Sequence, residues 1–228
     1  MIAEDNSKEE EFMTNKVEKL SCGQANAYLV RGAKGSILID TGTDQYREKI
    51  VHACKEASVK LIVLTHGHFD HCQNAAYLAE KLDCPVGIGN EDVSLLCDGE
   101  KRKVYGKGIW GHIYAQAANW NIWHKKLPPI KPEVILEDGM SLAGYGVDGK
   151  IVALPGHTAG SVGVLLKTGE LFVGDAMQNI LSAASTWCYE DYESAKRSTN
   201  NIRMIKAKKI YYGHGRESDP LEVRKKQR

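Results

Sequence analysis

Between Leu61 and Gln73 the chain reads LIVLTHGHFDHCQ, an apolar, β-branched run that stops at Thr65 and is followed by His66, His68, Asp70 and His71. Three imidazoles and one carboxylate packed this closely suit a borderline cation such as zinc, which takes neutral imidazole nitrogen and carboxylate oxygen. In extended or loop backbone His66 and His68 point to the same side, whereas Asp70 and His71 diverge and can address a second centre. A loop of solvated histidines is the plain alternative, but three of the chain's eight histidines fall in this one stretch.

The element that must position this cluster is the run before it. A short apolar stretch bounded by a turn reads as a buried strand, so the polar side chains emerge together at its end. The same grammar recurs three times in the second half: Leu154 leads into Pro155-Gly156-His157-Thr158, Phe172-Val173-Gly174 leads into Asp175, and Lys209–Tyr212 leads into Gly213-His214-Gly215. A glycine beside each ligand-type residue lets the backbone turn sharply and approach closely.

Around these points the chain alternates strands and helices. NAYLVR and GSILID, separated by Gly32-Ala33-Lys34, suggest a hairpin, and a strand from Asn15 turns Val17 and Leu20 inward. Asp44 can cap a helix to about Ala57; strands follow at Lys60–Leu64 and Pro85–Ile88 around a helix from Gln73 to Leu82. Strands Glu133–Glu137, Lys150–Leu154, Ser161–Lys167 and Glu170–Gly174, then a helix over 189–206, complete an α/β pattern with helices packed outside a sheet. Residues 1–14 read as a disordered polar start and 15–228 as one domain. That domain carries an aromatic-rich insertion at about 91–132, containing Trp110, His112, Tyr114, Trp120, Trp123 and His124, which serves either as a pocket wall or as a helical excursion pinned to the body or to a second subunit.

Composition narrows the function classes. The 228 residues carry 30 Lys plus Arg against 29 Asp plus Glu, so no overall field favours a polyanion and no nucleic-acid partner is expected. Six cysteines are scattered without a CxxC pair, and the acidic start MIAEDNSKEEEF lacks an apolar core for export; the expectation is a cytoplasmic protein with reduced thiols. No run of about 18 apolar residues occurs, so no membrane partner is expected. A small-molecule substrate is the expected partner, with homodimerisation open.

The set His66-x-His68-x-Asp70-His71, His157 in PGHT, Asp175 in GD and His214 in GHG resembles the five-part signature of the metallo-β-lactamase fold, over about Asn15 to Arg216. The resemblance implies a four-layer αβ/βα sandwich of two mixed β-sheets flanked by helices, with the site at the sheet edges. It implies that His66, His68 and His157 hold a first metal, that Asp70, His71 and His214 hold a second, and that Asp175 bridges them. Two Zn2+ are expected, with iron or manganese as the other candidates.

Two such cations would share a water and lower its pKa toward about 7, giving a hydroxide that attacks a small ester, thioester, lactone or phosphoester. Asp70 can orient that hydroxide or pass a proton to the leaving group, a catalytic role beside its ligand role. Thr65, Thr158 and Asp40 are candidates for fixing imidazole tautomers, with ordinary capping or turn duty as the alternative. Tyr189 and Tyr192 are candidate substrate contacts, with helix packing the equal alternative. Cys72, beside His71, reads as a buried structural thiol.

PGHTAGSVG resembles the glyoxalase II branch, yet Cys72-Gln73-Asn74 replaces the usual small pair and the sequence leaves no room for a helical carboxy-terminal domain, which argues against a glutathione thioester. Arg216, Arg224, Lys225 and Lys226 could meet an anionic substrate or form a solvated end. The alternative activity is a mononuclear iron persulfide dioxygenase, which keeps the same histidine motif.

Overall fold

The computed structural model describes residues 15–23 and 25–224. The expected disordered start, 1–14, lies outside them. In chain order come β1 (Lys16–Cys22), β2 (Ala25–Arg31), β3 (Ser36–Ile39), α1 (Arg47–Cys54), β4 (Val59–Val63), α2 (Phe69–Cys72), α3 (Ala75–Leu82) and β5 (Val86–Gly89). The insertion supplies α4 (Val93–Cys97), β6 (Tyr105–Gly106) and α5 (Gly108–His124), followed by β7 (Val134–Leu136). The second half contains β8 (Gly149–Ala153), β9 (Val162–Leu166), β10 (Glu170–Phe172), β11 (Met177–Gln178), β12 (Ala184–Ser185), β13 (Cys188–Tyr189), α6 (Tyr192–Met204), β14 (Lys209–Tyr211) and α7 (Pro220–Arg224).

Two mixed sheets result. The first runs β1-β2-β3-β4-β5-β7, antiparallel through β3 and parallel from β3 onward; the second runs β14-β10-β9-β8, antiparallel except for the parallel β10–β14 pair. The hairpin expected at 26–40 is β2–β3, closed by Gly32 N–H donating to the Gly35 carbonyl at 2.8 Å.

Period-two alternation sorts each strand between two cores. Leu29, Leu38 and Ile62 face α1 and α3, with Ile50 and Leu78. Tyr28, Ile37, Ile39, Leu61 and Val63 face the other way and meet Ile151, Val164, Leu166 and Phe172 of the second sheet. Beyond that sheet, Leu171 and Ile210 pack against Ile202 of α6 and Val223 of α7. Helices, sheet, sheet, helices are the four layers of an αβ/βα sandwich. Each fully buried Ile or Leu contributes about 1.5–3 kcal/mol by leaving water.

Three local expectations shift. Val17 and Leu20 lie on opposite faces of β1, Leu20 in the outer core and Val17 against the inner one, as their odd spacing requires. Asp44 does not cap a helix: it opens a 3-10 turn, Asp44–Tyr46, that leads into α1, and no side chain caps either start. The helix expected over Gln73–Leu82 starts two residues later, at Ala75 (α3), and the candidate ligand cluster before it forms a one-turn helix of its own, Phe69–Cys72 (α2).

Candidate metal centre

His66 follows β4 after Leu64 and Thr65. His68 is the extended residue that opens α2, and Asp70 and His71 lie in that turn, which folds the four side chains back over the strand end. His157 follows β8, Asp175 follows β10 and His214 follows β14, so the second sheet presents its three candidates at the same edge. Glycine is required at two of these junctions. A Cβ on Gly213 would stand 2.1 Å from Asp175 Oδ1 and 2.8 Å from His71 Cε1, and Gly174, at φ +51°, would meet Thr65 at 2.7 Å.

All seven candidate side chains converge. Their ligand-type atoms form three overlapping groups, His66–His68–His157, His66–His71–Asp175 and Asp70–His71–His214, with atoms within 4.8 Å of one another. His157 Nε2 lies 2.9 Å from His68 Nδ1, and His71 Nε2 lies 3.4 Å from His214 Nε2. Asp70 Oδ2 is 3.3 Å from His214 Nε2. Asp175 stands between the groups: Oδ1 is 3.6 Å from His71 Nε2, while Oδ2 is 3.1 Å from His214 Nε2 and 3.7 Å from His157 Nε2.

The far sides of the rings are held by the fold. His71 Nδ1 meets Asp40 Oδ2 at 2.9 Å, His157 Nδ1 meets the Cys188 carbonyl at 2.8 Å, and His66 Nδ1 meets Thr65 Oγ1 at 3.1 Å. Asp40 also accepts the Thr65 N–H at 2.8 Å and the Thr65 hydroxyl at 2.9 Å, so one buried carboxylate orders both ends of the cluster. Thr158 does neither of these things. Its hydroxyl donates to Asp92 at 2.6 Å, away from the imidazoles.

Burial and charge divide the histidines into two kinds. Burial drives the His66 pKa well below the ordinary histidine value, and its imidazole neighbours push the same way. Burial likewise takes His68 down to about 3 and lowers His157. These three are neutral at pH 7, with lone pairs available. Burial opposes charge on His71 too, but Asp175, Asp70 and Asp40 outweigh it and raise that ring to about 9; Asp175 and Asp70 raise His214 well above its ordinary value. Burial also opposes ionisation of Asp70 and Asp175, yet His71 and His214 beside them hold both below the usual carboxylate range.

This donor set fits cations. Nε2 of His66 and Oδ1 of Asp175 are buried without a hydrogen-bond partner, an arrangement that costs about 1–3 kcal/mol per atom unless something else satisfies them. Donors around a tetrahedral zinc stand about 3.3 Å apart, within the 2.9–3.7 Å spread found here.

A cavity of about 120 Å³ opens onto the cluster, lined by His68, Phe69, Asp70 and Cys188 and walled by Tyr114, Ala117, Ala118, Asn121 and Ile122 of α5. The insertion is thus a wall of the site, and Tyr114 is the tyrosine in it. Tyr189 and Tyr192 line a separate cavity with Lys196 and Arg203. His112 and His124 are exposed on α5, each capping a backbone carbonyl four residues back at 2.7 Å. Cys72 is buried, donates to the His66 carbonyl at 3.0 Å, and has its thiol pKa pushed well up by burial. Arg216 does not line the cavity, and Lys225 and Lys226 lie outside the described residues.

Sequence reasoning missed Asp92. Fully buried in the insertion, it accepts from Gly67 N–H and Gly160 N–H, both at 2.9 Å, from Thr158, and from Arg102, tying the loop of His66 and His68 to the loop of His157.

A sequence model described as the metallo-beta-lactamase superfamily matches residues 20–214. A probable metallo-hydrolase of Methanocaldococcus jannaschii is 28% identical over 207 residues, covering 86% of this chain and 90% of that protein. A beta-lactamase-like protein 2 homologue of Drosophila melanogaster is 28% identical over 83% of this chain, which spans 58% of that longer protein. A probable polyketide biosynthesis zinc-dependent hydrolase of Bacillus velezensis is 27% identical over 81% of this chain and 69% of its own length. A solved structure of a protein in a di-iron-bound form superposes with a TM-score of 0.68 at 28% identity, covering 92% of this chain and 97% of that one. With that match across most of its length, and with sandwich and site in place, the chain belongs to the metallo-beta-lactamase superfamily.

Proposed function

We propose that the chain is a hydrolase whose seven clustered side chains hold two zinc ions, and that it cleaves a small ester, thioester, lactone or phosphoester. The observation that carries this reading is the pair of buried, unpartnered donors, His66 Nε2 and Asp175 Oδ1, inside overlapping ligand groups. His66, His68 and His157 would hold the first ion and Asp70, His71 and His214 the second, with Asp175 standing between the two groups. The zinc-dependent relative supports the choice of metal.

Bound there, the cations supply Lewis acidity and an acidified water. The chain does the rest. Asp70 is ionised, and its carboxylate is about one-third exposed toward the cavity, so it accepts a proton from the attacking water and returns it to the leaving group. Tyr114 keeps its proton because burial raises its pKa, and its O–H is available to a substrate oxygen. Phe69 and Ile122 narrow the cavity and limit bulk water.

Elemental analysis of protein purified without added metal tests this, together with hydrolysis of thioesters, lactones and phosphodiesters. About two zinc per chain, with metal and hydrolysis both lost in His68→Ala and Asp175→Ala, is the expected result; variants that keep both sink the assignment. A second reading is single-iron oxidation of a persulfide; what speaks for iron is the di-iron-bound form of the similar solved structure, although that form holds two ions and not one. One iron per chain and no hydrolysis of any ester would select it and remove the proton-transfer role of Asp70.

A further inference from the structure

From Lys101 onward the insertion concentrates positive charge that the rest of the chain lacks. From Lys101 to Pro132 lie Lys101, Arg102, Lys103, Lys107, Lys125, Lys126 and Lys131 and no carboxylate, in a chain of net charge +1, so the remainder is net acidic. Arg102 is engaged with Asp92 and Glu190, and the six lysines are exposed. Three of the four tryptophans, Trp110, Trp120 and Trp123, fall in the same stretch.

Helix α5 has two sides. Tyr114, Ala115, Ala118 and Ile122 pack inward with Val104 and Cys188. Outward stand Ile109 at 79% exposure, Trp110 at 77%, Ile113 at 54%, Trp120 at 57% and Trp123 at 55%. At 100° per residue Ile109, Ile113, Trp120 and Trp123 fall within an arc of about 80°, with Trp110 about 60° beyond it. Lys107 precedes the helix and Lys125 and Lys126 follow it, so cations flank both ends of an apolar strip about 21 Å long. Lys101 Nζ lies 5.8 Å from the Trp123 ring centroid.

We propose that α5 docks in the headgroup layer of an anionic phospholipid bilayer, with the Ile109–Trp123 face entering the acyl boundary and the flanking lysines meeting lipid phosphates and carboxylates. Tryptophan and isoleucine on one helix face with lysine at its ends is the chemistry of an interfacial helix. No spanning segment is needed, and no helix among the described residues is long and apolar enough to be one. A second copy of the chain is a poorer occupant, because a twofold contact would set this all-cationic stretch against itself. A nucleic acid satisfies the lysines but gives Ile109 and Ile113 no apolar phase. The expectation of no membrane partner rested on the absence of a spanning segment, which bears on spanning alone.

Full-length protein is sedimented with phosphatidylcholine vesicles and with phosphatidylcholine–phosphatidylserine vesicles, and tryptophan emission is recorded with brominated acyl chains. Expected are a partition at least about tenfold greater onto the anionic vesicles, a blue shift and quenching by the brominated chains. Lys125→Glu with Lys126→Glu removes the preference for anionic lipid, and Trp120→Ser with Trp123→Ser removes the quenching; these sites are exposed, so circular dichroism and metal content stay unchanged. Equal partition onto both vesicles, no partition, or partition without quenching overturns the proposal. So does a dimer in solution that Trp120→Ser with Trp123→Ser converts to monomer, since a second copy then owns the face.

Discussion

Asp40 Oδ2 lies 2.9 Å from His71 Nδ1, both groups buried, at a residue whose backbone is left-handed with φ +57°. That conformation turns the carboxylate back under the following strand end, where it also takes the Thr65 N–H and hydroxyl. Asn adopts the left-handed region nearly as readily as Asp, so Asp40→Asn tests the charge without adding backbone strain. A partner of this kind typically accounts for about 10–100-fold in metal affinity. Chelator competition should show a loss of that size, with the Asp40→Asn chain folded; unchanged affinity would mean that His71 needs no orienting carboxylate.

The raised pKa of His71, about 9, and the raised value of His214 set a pH dependence. Both rings carry a proton at neutral pH without a cation and must release it to bind one. Metal binding near pH 7 should therefore release about one to two protons, read by calorimetry as an enthalpy that varies with buffer ionisation heat. Apparent affinity should rise with pH, and less steeply above about 9, where His71 is already neutral and only His214 still has a proton to lose.

The same groups shift the stability of the metal-free chain in the opposite direction. Their folded-state pKa lies above the unfolded value of about 6.5, so the attraction to Asp175 and Asp70 is fully present below that pH and is lost as pH rises through about 9. The melting temperature of chelator-treated protein should fall across that interval, and the fall should shrink in His71→Gln. A flat profile would show that His71 is neutral in the metal-free fold.

Gly213 sits where any side chain would strike Asp175 Oδ1 and His71. Gly213→Ala should cost about 1–3 kcal/mol by overpacking and displace Asp175 from between the two groups. Metal per chain should drop while far-ultraviolet circular dichroism is retained. Full metal content in this variant would show that the β14 turn can yield.

Asp92, itself fully buried, collects two backbone N–H groups, a threonine hydroxyl and Arg102. Asp92→Ala strands those donors and should destabilise the fold by about 3–5 kcal/mol, measured by urea unfolding. Arg102→Ala leaves Asp92 three other donors and should cost clearly less. Equal costs would show that the ion pair, and not the loop-to-loop tie, is the main contribution.

The ligand-type residues were legible because each follows an apolar run that must be a strand, and strand ends are where such a sandwich gathers side chains. His66–His71 even declare themselves by proximity in sequence. Asp92 gives no such signal: it lies in a 3-10 turn, Asn90–Asp92, and its partners come from Gly67, Arg102, Thr158 and Gly160, which only the tertiary fold brings near. The Cys188 carbonyl that holds His157 is equally silent, being backbone.

Helix α5 was illegible for a different reason. Its buried positions include Gly111 and Ala115 and its exposed ones Ile109, Trp110 and Trp120, so small residues are inside and large apolar ones outside. A search for apolar periodicity finds little contrast around such a helix. The sequence allows these tryptophans to wall the pocket or to pin the excursion to the body or to a second subunit; Trp110, Trp120 and Trp123 face away from the body, and it is alanine that allows the close inner packing.

The four chain segments that carry the ligand set end on two different sheets: His66 to His71 after β4 of the first, and His157, Asp175 and His214 after β8, β10 and β14 of the second. A cation held among them is therefore a clasp across the seam of the sandwich. Because His214 comes last of the seven in chain order, the clasp cannot close during synthesis until the chain through His214 has emerged and both halves have met. Ion capture then marks completed assembly, and ion escape requires the seam to loosen.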